Sequence, residues 1–295
     1  MILHAATAEG YDAKLFSYEL ETHVPIAAIA TVIVGKRWNS PDLYAHLIEV
    51  IERCHIDIVI PFVDGAIEVA ARLETMAQQV WAPVSNIEIV KKMYDKVASD
   101  ELFRKLNLPL PALFNPLAPS FPAIAKPRFG SASKGIRVLT SIRDYNAIDN
   151  AADFLIQQYI PDAVEYSVDC YVSREGRVAV AVPRLRLDVV GGEVVRTVTV
   201  NAPDVSMLAH RVIRETKLTG AVTIQFLRDP ATNELYLMEI NPRLGGGAVC
   251  SVHAGADIPR AMIREWGGMP SSPIEWSFGV EIVRYLQEIV YKNNF

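Results

Sequence analysis

The segment LYLMEINPRLGGG, residues 235–247, carries an apolar run into Glu239, Asn241 and Arg243 and then into Gly245, Gly246 and Gly247. Side chains of a strand repeat every second residue, so the three polar groups would share one face. A carboxylate, an amide oxygen and a guanidinium would then converge on one point, with permissive backbone just beyond. Hard oxygen donors suit Mg²⁺, which takes few protein ligands and shares the rest of its shell with nucleotide phosphates. The same letters also suit a polar strand end entering a turn.

A second segment, AKPRFGSASKGIRV at 125–138, ends one strand in Lys126 and opens the next near Gly135. A loop of Gly130, Ser131, Ala132 and Ser133 lets backbone N–H groups close around phosphate oxygens. It is not a Walker loop, because Ile136 follows Gly135 where a lysine is needed and a strand follows in place of a helix. A flexible hairpin tip is the plainer alternative. In QQYIPDAVEYSVDCYV, residues 157–172, two strands flank a Pro-Asp turn and Glu165 opens the second. The first strand's backbone could read a purine while Glu165 accepts from ribose hydroxyls. Taken alone, Glu165 is as well explained by exposure at a strand start.

Arg184 and Arg186 alternate along PRLRLD, and Arg196 lies on the partner strand across Gly191–Gly192. Three guanidiniums on a hairpin could grip an anionic substrate. They equally describe a solvated face pairing with Asp188 and Glu193. His253, past the glycines, could touch substrate or be a structural histidine.

The elements that must position these groups follow from periodicity. Residues 12–18 read as a strand, 43–54 as an amphipathic helix with Leu43, Leu47, Ile48, Ile51 and Cys54 on one face, and 65–78 as a helix. The near-continuous apolar run 56–63 reads as a strand buried on both sides of a parallel sheet. Residues 1–10 look like the tail of a helix capped by Gly10 with no strand before it. An α/β unit usually opens with a strand, so either the beginning diverges or the reading frame starts late. Residues 86–106 read as helical through Asp95 and Lys96, and 108–122, rich in proline, as an extended linker. Strands are expected at 123–126, 135–139, 155–160, 166–173, 178–188 and 194–200, and helices at 141–152 and 205–217. A final hairpin joins 221–228 to 235–240 through DPATNE.

The 295 residues, 51% hydrophobic and 21% charged, describe a globular protein with room for two or three modules. A net charge of −5 gives no reason to expect nucleic acid or an anionic membrane as partner. Cys54, Cys170 and Cys250 are scattered and odd in number, which fits reduced thiols in the cytoplasm better than disulfides or zinc. No run reaches the ~18–20 apolar residues of a membrane span, and the first residues lack a signal-peptide pattern.

Taken together and in order, the lysine strand with its Gly/Ser loop, the QQYI…EYSVD strand pair and QF…MEINPR resemble the ATP-grasp superfamily. The resemblance is to its carbamoyl-phosphate-synthase-like group of carboxylate–amine ligases, and it covers nearly the whole chain. It implies a mixed α/β and α+β architecture. A small open α/β domain would fill 1–84, without an evident first strand, and a helical, proline-rich linker 85–120. The ATP-grasp domain would fill 121–295, its small lobe at about 121–160 and its large lobe at about 161–295.

The resemblance further implies ATP and Mg²⁺ as cofactors, with Mn²⁺ able to substitute. Lys126 and Lys96 would contact phosphates under the folding loop that includes Gly130, Ser131 and Ser133. Gln158 and Ile160 would lie at the adenine edge and Glu165 on the ribose. Gln225, Glu239 and Asn241 would ligate metal, and Arg243 would hold the transferring phosphoryl group or the acyl phosphate. Arg184, Arg186, Arg196, Gly246 and His253 remain for the substrates, a small carboxylate and an amine, and a homodimer is left open. Two positions depart from the pattern: 158 is often Glu in relatives, and 225 is Glu in many. The expected reaction is ADP-forming coupling of the carboxylate to the amine. A carboxylate or small-molecule kinase, or a non-catalytic ATP-binding protein, are the rival expectations.

Overall fold

The computed structural model of the chain describes residues 1–130 and 133–291. α1 (Ile2–Ala8) ends where Gly10 adopts a φ of +84°, and its Ala5 and Ala6 pack on Ile263. β1 (Phe16–Glu19) and β2 (Thr31–Val34) pair in parallel with Phe16 opposite Thr31. α2 (Leu43–Cys54) and α3 (Asp64–Met76) bring Leu43, Leu47 and Ile51 against Val69 and Leu73. The i, i+4, i+8 spacing on α2 makes a single apolar stripe. Ile48 and Cys54 lie at its half-buried margin, and Val50 completes the buried set.

The run 56–63 is not the doubly buried strand that its composition suggests. It makes one parallel bridge, Ile58 with Trp81, while Phe62 and Val63 are 58% and 53% exposed. Apolar composition favours burial, but a central strand needs ladder partners on both edges, and those are set by distant chain.

The expected helix through 86–106 is two helices, α4 (Ile87–Tyr94) and α5 (Lys96–Lys105), broken at Asp95. Asp95 is extended (φ −96°, ψ 106°), and its Oδ1 accepts from the amides of Val97 and Ala98. A short carboxylate competes for backbone N–H groups, so Asp caps helices more readily than it sits inside them.

The linker then runs extended. Phe114 N donates to Ile156 O and Gln158 N to Ala112 O, which lays the linker along the edge of the next sheet. That sheet is β3 (Ala123–Pro127), β4 (Arg137–Leu139) and β5 (Phe154–Gln158), in the order β4-β3-β5. α6 (Ile142–Asn146) is shorter than expected. It starts in a reciprocal cap between Ser141 and Asp144 and stops before the polar stretch Asp149–Asn150.

β6 (Val164–Val172), β7 (Val178–Val190), β8 (Glu193–Thr199), β9 (Gly220–Arg228), β10 (Leu235–Asn241) and β11 (Glu281–Val283) form an antiparallel sheet ordered β10-β9-β6-β7-β8-β11. Alternation divides its faces. Val168 and Cys170 of β6 and Val222 and Ile224 of β9 meet Val205, Ala209 and Val212 of α7 (Pro203–Thr216). Each large apolar side chain withdrawn from water there contributes ~1.5–3 kcal/mol. On the opposite face, Tyr171, Val180 and Val182 pack on Ala248 of α8 (Ala248–His253) and Ile258 and Met262 of α9 (Ile258–Trp266). The rest of that second face is polar, and it carries the site.

Candidate active site

Register builds a row of polar side chains across four strands. Glu239 lies opposite Gln225, Gln225 opposite Ser167, and Ser167 opposite Arg184. One step along, Asn241 lies opposite Thr223, and Thr223 opposite Asp169. Glu239, Asn241 and Gln225 therefore share one patch of one face. Asn241 Nδ2 donates to Glu239 Oε1 at 2.9 Å; turning that amide over presents its oxygen beside the carboxylate. Among the described residues no three His, Cys, Asp or Glu gather as a metal cage. One carboxylate with two amide oxygens fits Mg²⁺ only where phosphates complete the shell.

Arg243 departs from the expected arrangement. β10 ends at Asn241, Arg243 N turns back onto Asn241 O at 2.7 Å, and the guanidinium reaches Asp64 at the start of α3. Nε and Nη2 both lie 2.6 Å from Asp64 Oδ1. Simple alternation does not hold beyond the end of the strand, so a residue 179 positions away decides where Arg243 sits.

Lys126 is 7% exposed on β3 and donates to Gln157 Oε1 at 3.0 Å. Gln157 Nε2 donates to Asp100 at 2.7 Å, and Asp100 holds Arg104 by two hydrogen bonds. Burial pushes the Lys126 ammonium down from its ordinary range, and Lys96 adds to this; Glu239, Asp100 and Glu165 pull the other way. A buried cation whose direct partner is a neutral amide suits an anion. Lys96 opens α5, where Asp95 has broken the helix. Its amide donates to Arg128 O and its Nζ to Gly130 O at 2.6 Å. Arg128 clamps Asp95 through Nε and Nη2, tying the helix break to the start of the Gly/Ser loop. Gly130 has a φ of +114° and Ser133 of +56°; Ser131 lies outside the described residues.

Sequence reasoning missed Gln157, Asp100, Asp95 and Asp64. The Gln157–Gln158 pair held a signal for the first. Alternation on β5 buries one and exposes the other, and Gln157, at 3% exposure, is the one on the Lys126 face. Gln158 is exposed and Ile160 is buried beyond the end of β5.

The three arginines do not act together. Arg184, 1% exposed, is engaged internally: Nε and Nη2 bind Asp169 at 2.6 and 3.1 Å, and Nη1 binds Thr197. Arg196 is half-exposed and pairs with Glu281 and Asp188. Arg186 lies between: Nε is 3.0 Å from Glu165 Oε2, an ion-pair distance without hydrogen-bond geometry, and Nη2 donates to Gly192 O. Burial lowers the Arg186 pKa from its ordinary value, against the pull of Glu165. Arg186 Nε and Ser167 Oγ are buried without a hydrogen-bond partner among the described residues. Leaving such an atom unpaired costs ~1–3 kcal/mol, which a ligand or water on this face would remove. Gly246 O accepts from Arg284, and His253 is exposed at the end of α8.

Known proteins share this fold. A family described as "ATP-grasp in the biosynthetic pathway with Ter operon" matches residues 150–288. The biotin carboxylase domain of Hydrogenobacter thermophilus 2-oxoglutarate carboxylase, solved as a dimer with MgADP, ADP and bicarbonate, superposes with a TM-score of 0.76 at 16% identity, over 93% of this chain and 69% of its own. Campylobacter jejuni biotin carboxylase gives 0.75 at 19% identity, over 93% and 70%. Thermotoga maritima N5-carboxyaminoimidazole ribonucleotide synthetase gives 0.71 at 15%, over 93% and 74%. No curated protein matches the chain in sequence. None of the described helices is long and apolar enough to cross a membrane.

Proposed function

We propose that this chain, which has the ATP-grasp fold, is an ATP-dependent carboxylate–amine ligase. The observation that carries the reading is the placement of Glu239, Gln225 and Asn241 on one sheet face within the electrostatic reach of buried Lys126. Bound Mg-ATP would supply the phosphoryl group and much of the charge that neutralises it. Gln225, Glu239 and Asn241 would hold the metal. Lys126 and Lys96 would hold phosphate oxygens beneath the loop from Gly130 to Ser133. Gln158 and Ile160 would border the base, and Glu165 the ribose.

Arg243 would orient the carboxylate substrate, and Arg186, whose Nε makes no hydrogen bond although it lies at ion-pair distance from Glu165, is the second candidate for an anion. Phosphoryl transfer asks for in-line placement and charge neutralisation more than for covalent help from the protein. An activated acyl phosphate must be shielded from water, a task that this reading gives to the Gly/Ser segment. The expected result is ADP release that depends on one member of a carboxylate panel, with a hydroxamate formed when hydroxylamine replaces the amine. ADP release without hydroxamate would make the protein a kinase of another group. Nucleotide binding without any substrate-dependent ADP release would leave only a binding protein.

Lys126 gives this reading a pH signature. Its pKa is lowered in the free protein, and phosphate favours the charged form, so binding takes up a proton between the lowered value and the ordinary ~10.4. MgADP affinity should therefore decline as pH rises through that window and become flat in Lys126→Gln. Calorimetry in buffers of different ionisation enthalpy reads the proton uptake directly.

A further inference from the structure

Glu239 and Asn241 form one wall of a cleft of about 380 Å³ that extends towards α2, α3 and α4. Its volume is at the small end of the ~300–1,000 Å³ common for small-molecule sites. Trp38, Tyr44 and Met93 contribute apolar and aromatic walls, and Asp64, Glu68 and Arg72 contribute charge. Gly65 matters for the shape. A Cβ there would lie 2.9 Å from the Trp38 indole, so the absence of a side chain lets the ring rest on the first turn of α3.

The charges in this lining are unevenly committed. Arg72 holds Glu68 through Nε at 3.0 Å and Nη2 at 2.7 Å, a closed pair one helical turn apart. Arg243 takes only Oδ1 of Asp64, and Asp64 Oδ2 accepts no hydrogen bond among the described residues. The lining thus offers an uncommitted carboxylate oxygen together with aromatic rings, while its one guanidinium, Arg72, is already paired. A guest with a cation on an apolar body satisfies both features, since ammonium groups gain from a carboxylate and from aromatic faces alike. An amino acid does so poorly, because its own carboxylate would face the lining carboxylates Asp64, Glu68 and Glu239 while Arg72 is committed to Glu68.

We infer that this cleft is the acceptor site and takes a primary amine on a compact aromatic or aliphatic body, its ammonium held by Asp64 Oδ2. The inference rests on the ligase reading, and it places the amine beside the group that Arg243 would hold. Asp64 thereby serves both substrates, one oxygen for each.

Phenethylamine is a suitable probe, titrated into the full chain and followed by tryptophan fluorescence, with Trp38→Phe assigning the signal. Saturable binding is expected, at least ~10-fold tighter than that of 2-phenylethanol or L-phenylalanine. Asp64→Asn, which keeps an oxygen for Arg243, should weaken it by ~10–100-fold, the range for a lost charged hydrogen bond. Trp38→Ala, at a half-exposed position, should weaken phenethylamine while leaving MgADP binding alone. Equal affinity in Asp64→Asn, a preference for L-phenylalanine, or no binding to the unaltered protein would overturn the inference. MgADP titrated separately keeps the two ideas apart. MgADP binding without amine binding removes only the acceptor site, whereas amine binding without MgADP binding removes the nucleotide reading.

Discussion

Glu239→Ala should reduce substrate-dependent ADP formation by at least ~10²–10³-fold, the range for removing one preorganised electrostatic contact to a transferring group. The size follows from the donor set. Gln225 and Asn241 are neutral, so Glu239 supplies the formal charge among the three side chains on the patch. The fold should survive. Glu239 is only half-buried, and its partner Asn241 is open enough for water to replace the 2.9 Å hydrogen bond. The melting temperature should stay within a few degrees of the unaltered protein, as for substitutions away from a core. Gln225→Glu should act in the opposite sense and tighten Mg²⁺ by adding a second charge directly across from the first. Normal ATP turnover in Glu239→Ala, assayed by coupled ADP release with Mg²⁺ varied, would show that the metal is held elsewhere.

The largest effect on stability is expected at Asp169. Its carboxylate is fully buried and receives Arg184 twice, Thr223 Oγ1 at 3.1 Å and Ser251 Oγ at 2.6 Å. Asp169→Ala leaves the Arg184 guanidinium buried with Thr197 alone. Breaking one side of a buried ion pair costs ~3–5 kcal/mol, on the order of 10 °C in a chain of this size. Replacing both partners, Asp169→Leu with Arg184→Met, should recover much of that loss, because the penalty comes from the unpaired charge. Thermal melts of Asp169→Leu, Arg184→Met and the double variant make the cycle; equal losses in all three would refute the account.

The Asp169 network also reaches the site. Thr223 Oγ1 accepts from Gly245 N at 2.8 Å, so the glycines after Arg243 hang from it. Gly247 belongs to the same arrangement, since a Cβ there would lie 2.5 Å from Arg184 Nη1. Of the glycines that read as a permissive loop, Gly247 is packed tightly on a buried arginine, while Gly246 is exposed beside Arg284.

Legibility followed the range of the physics. The placement of Glu239 opposite Gln225 was readable because register and alternation are local: β9 and β10 are joined by one short turn. The hairpin at Gly191–Gly192 was readable for the same reason, both residues having the positive φ that such a turn requires. The Asp95 break was within reach, because Asp is a helix cap before it is a helix interior, but the apolar period on either side obscured it.

The arginines mark the limit. Arg184, Arg186 and Arg196 have similar sequence surroundings, yet one is sealed against Asp169, one faces Glu165, and one lies in solvent. Arg196 pairs with Glu281 of β11, 85 positions away, which local pattern cannot bring next to β8, and the burial of Arg184 needs α8 and its Ser251 packed over the same Asp169.

By itself, then, the sequence determined the ATP-grasp resemblance, most of the strands and helices of the large and small sheets, and the hard-oxygen patch of Gln225, Glu239 and Asn241. Each rests on propensity, period-two alternation or a short turn, which act over a few residues. The tertiary structure alone decided that Lys126 is supported through Gln157 by Asp100, that Arg243 turns away to Asp64, and that the cleft beside it has aromatic walls. Those contacts join residues tens to nearly two hundred positions apart. They exist only once the core has brought the elements together, because a side chain's partner in space is set by packing and not by its neighbours in the chain.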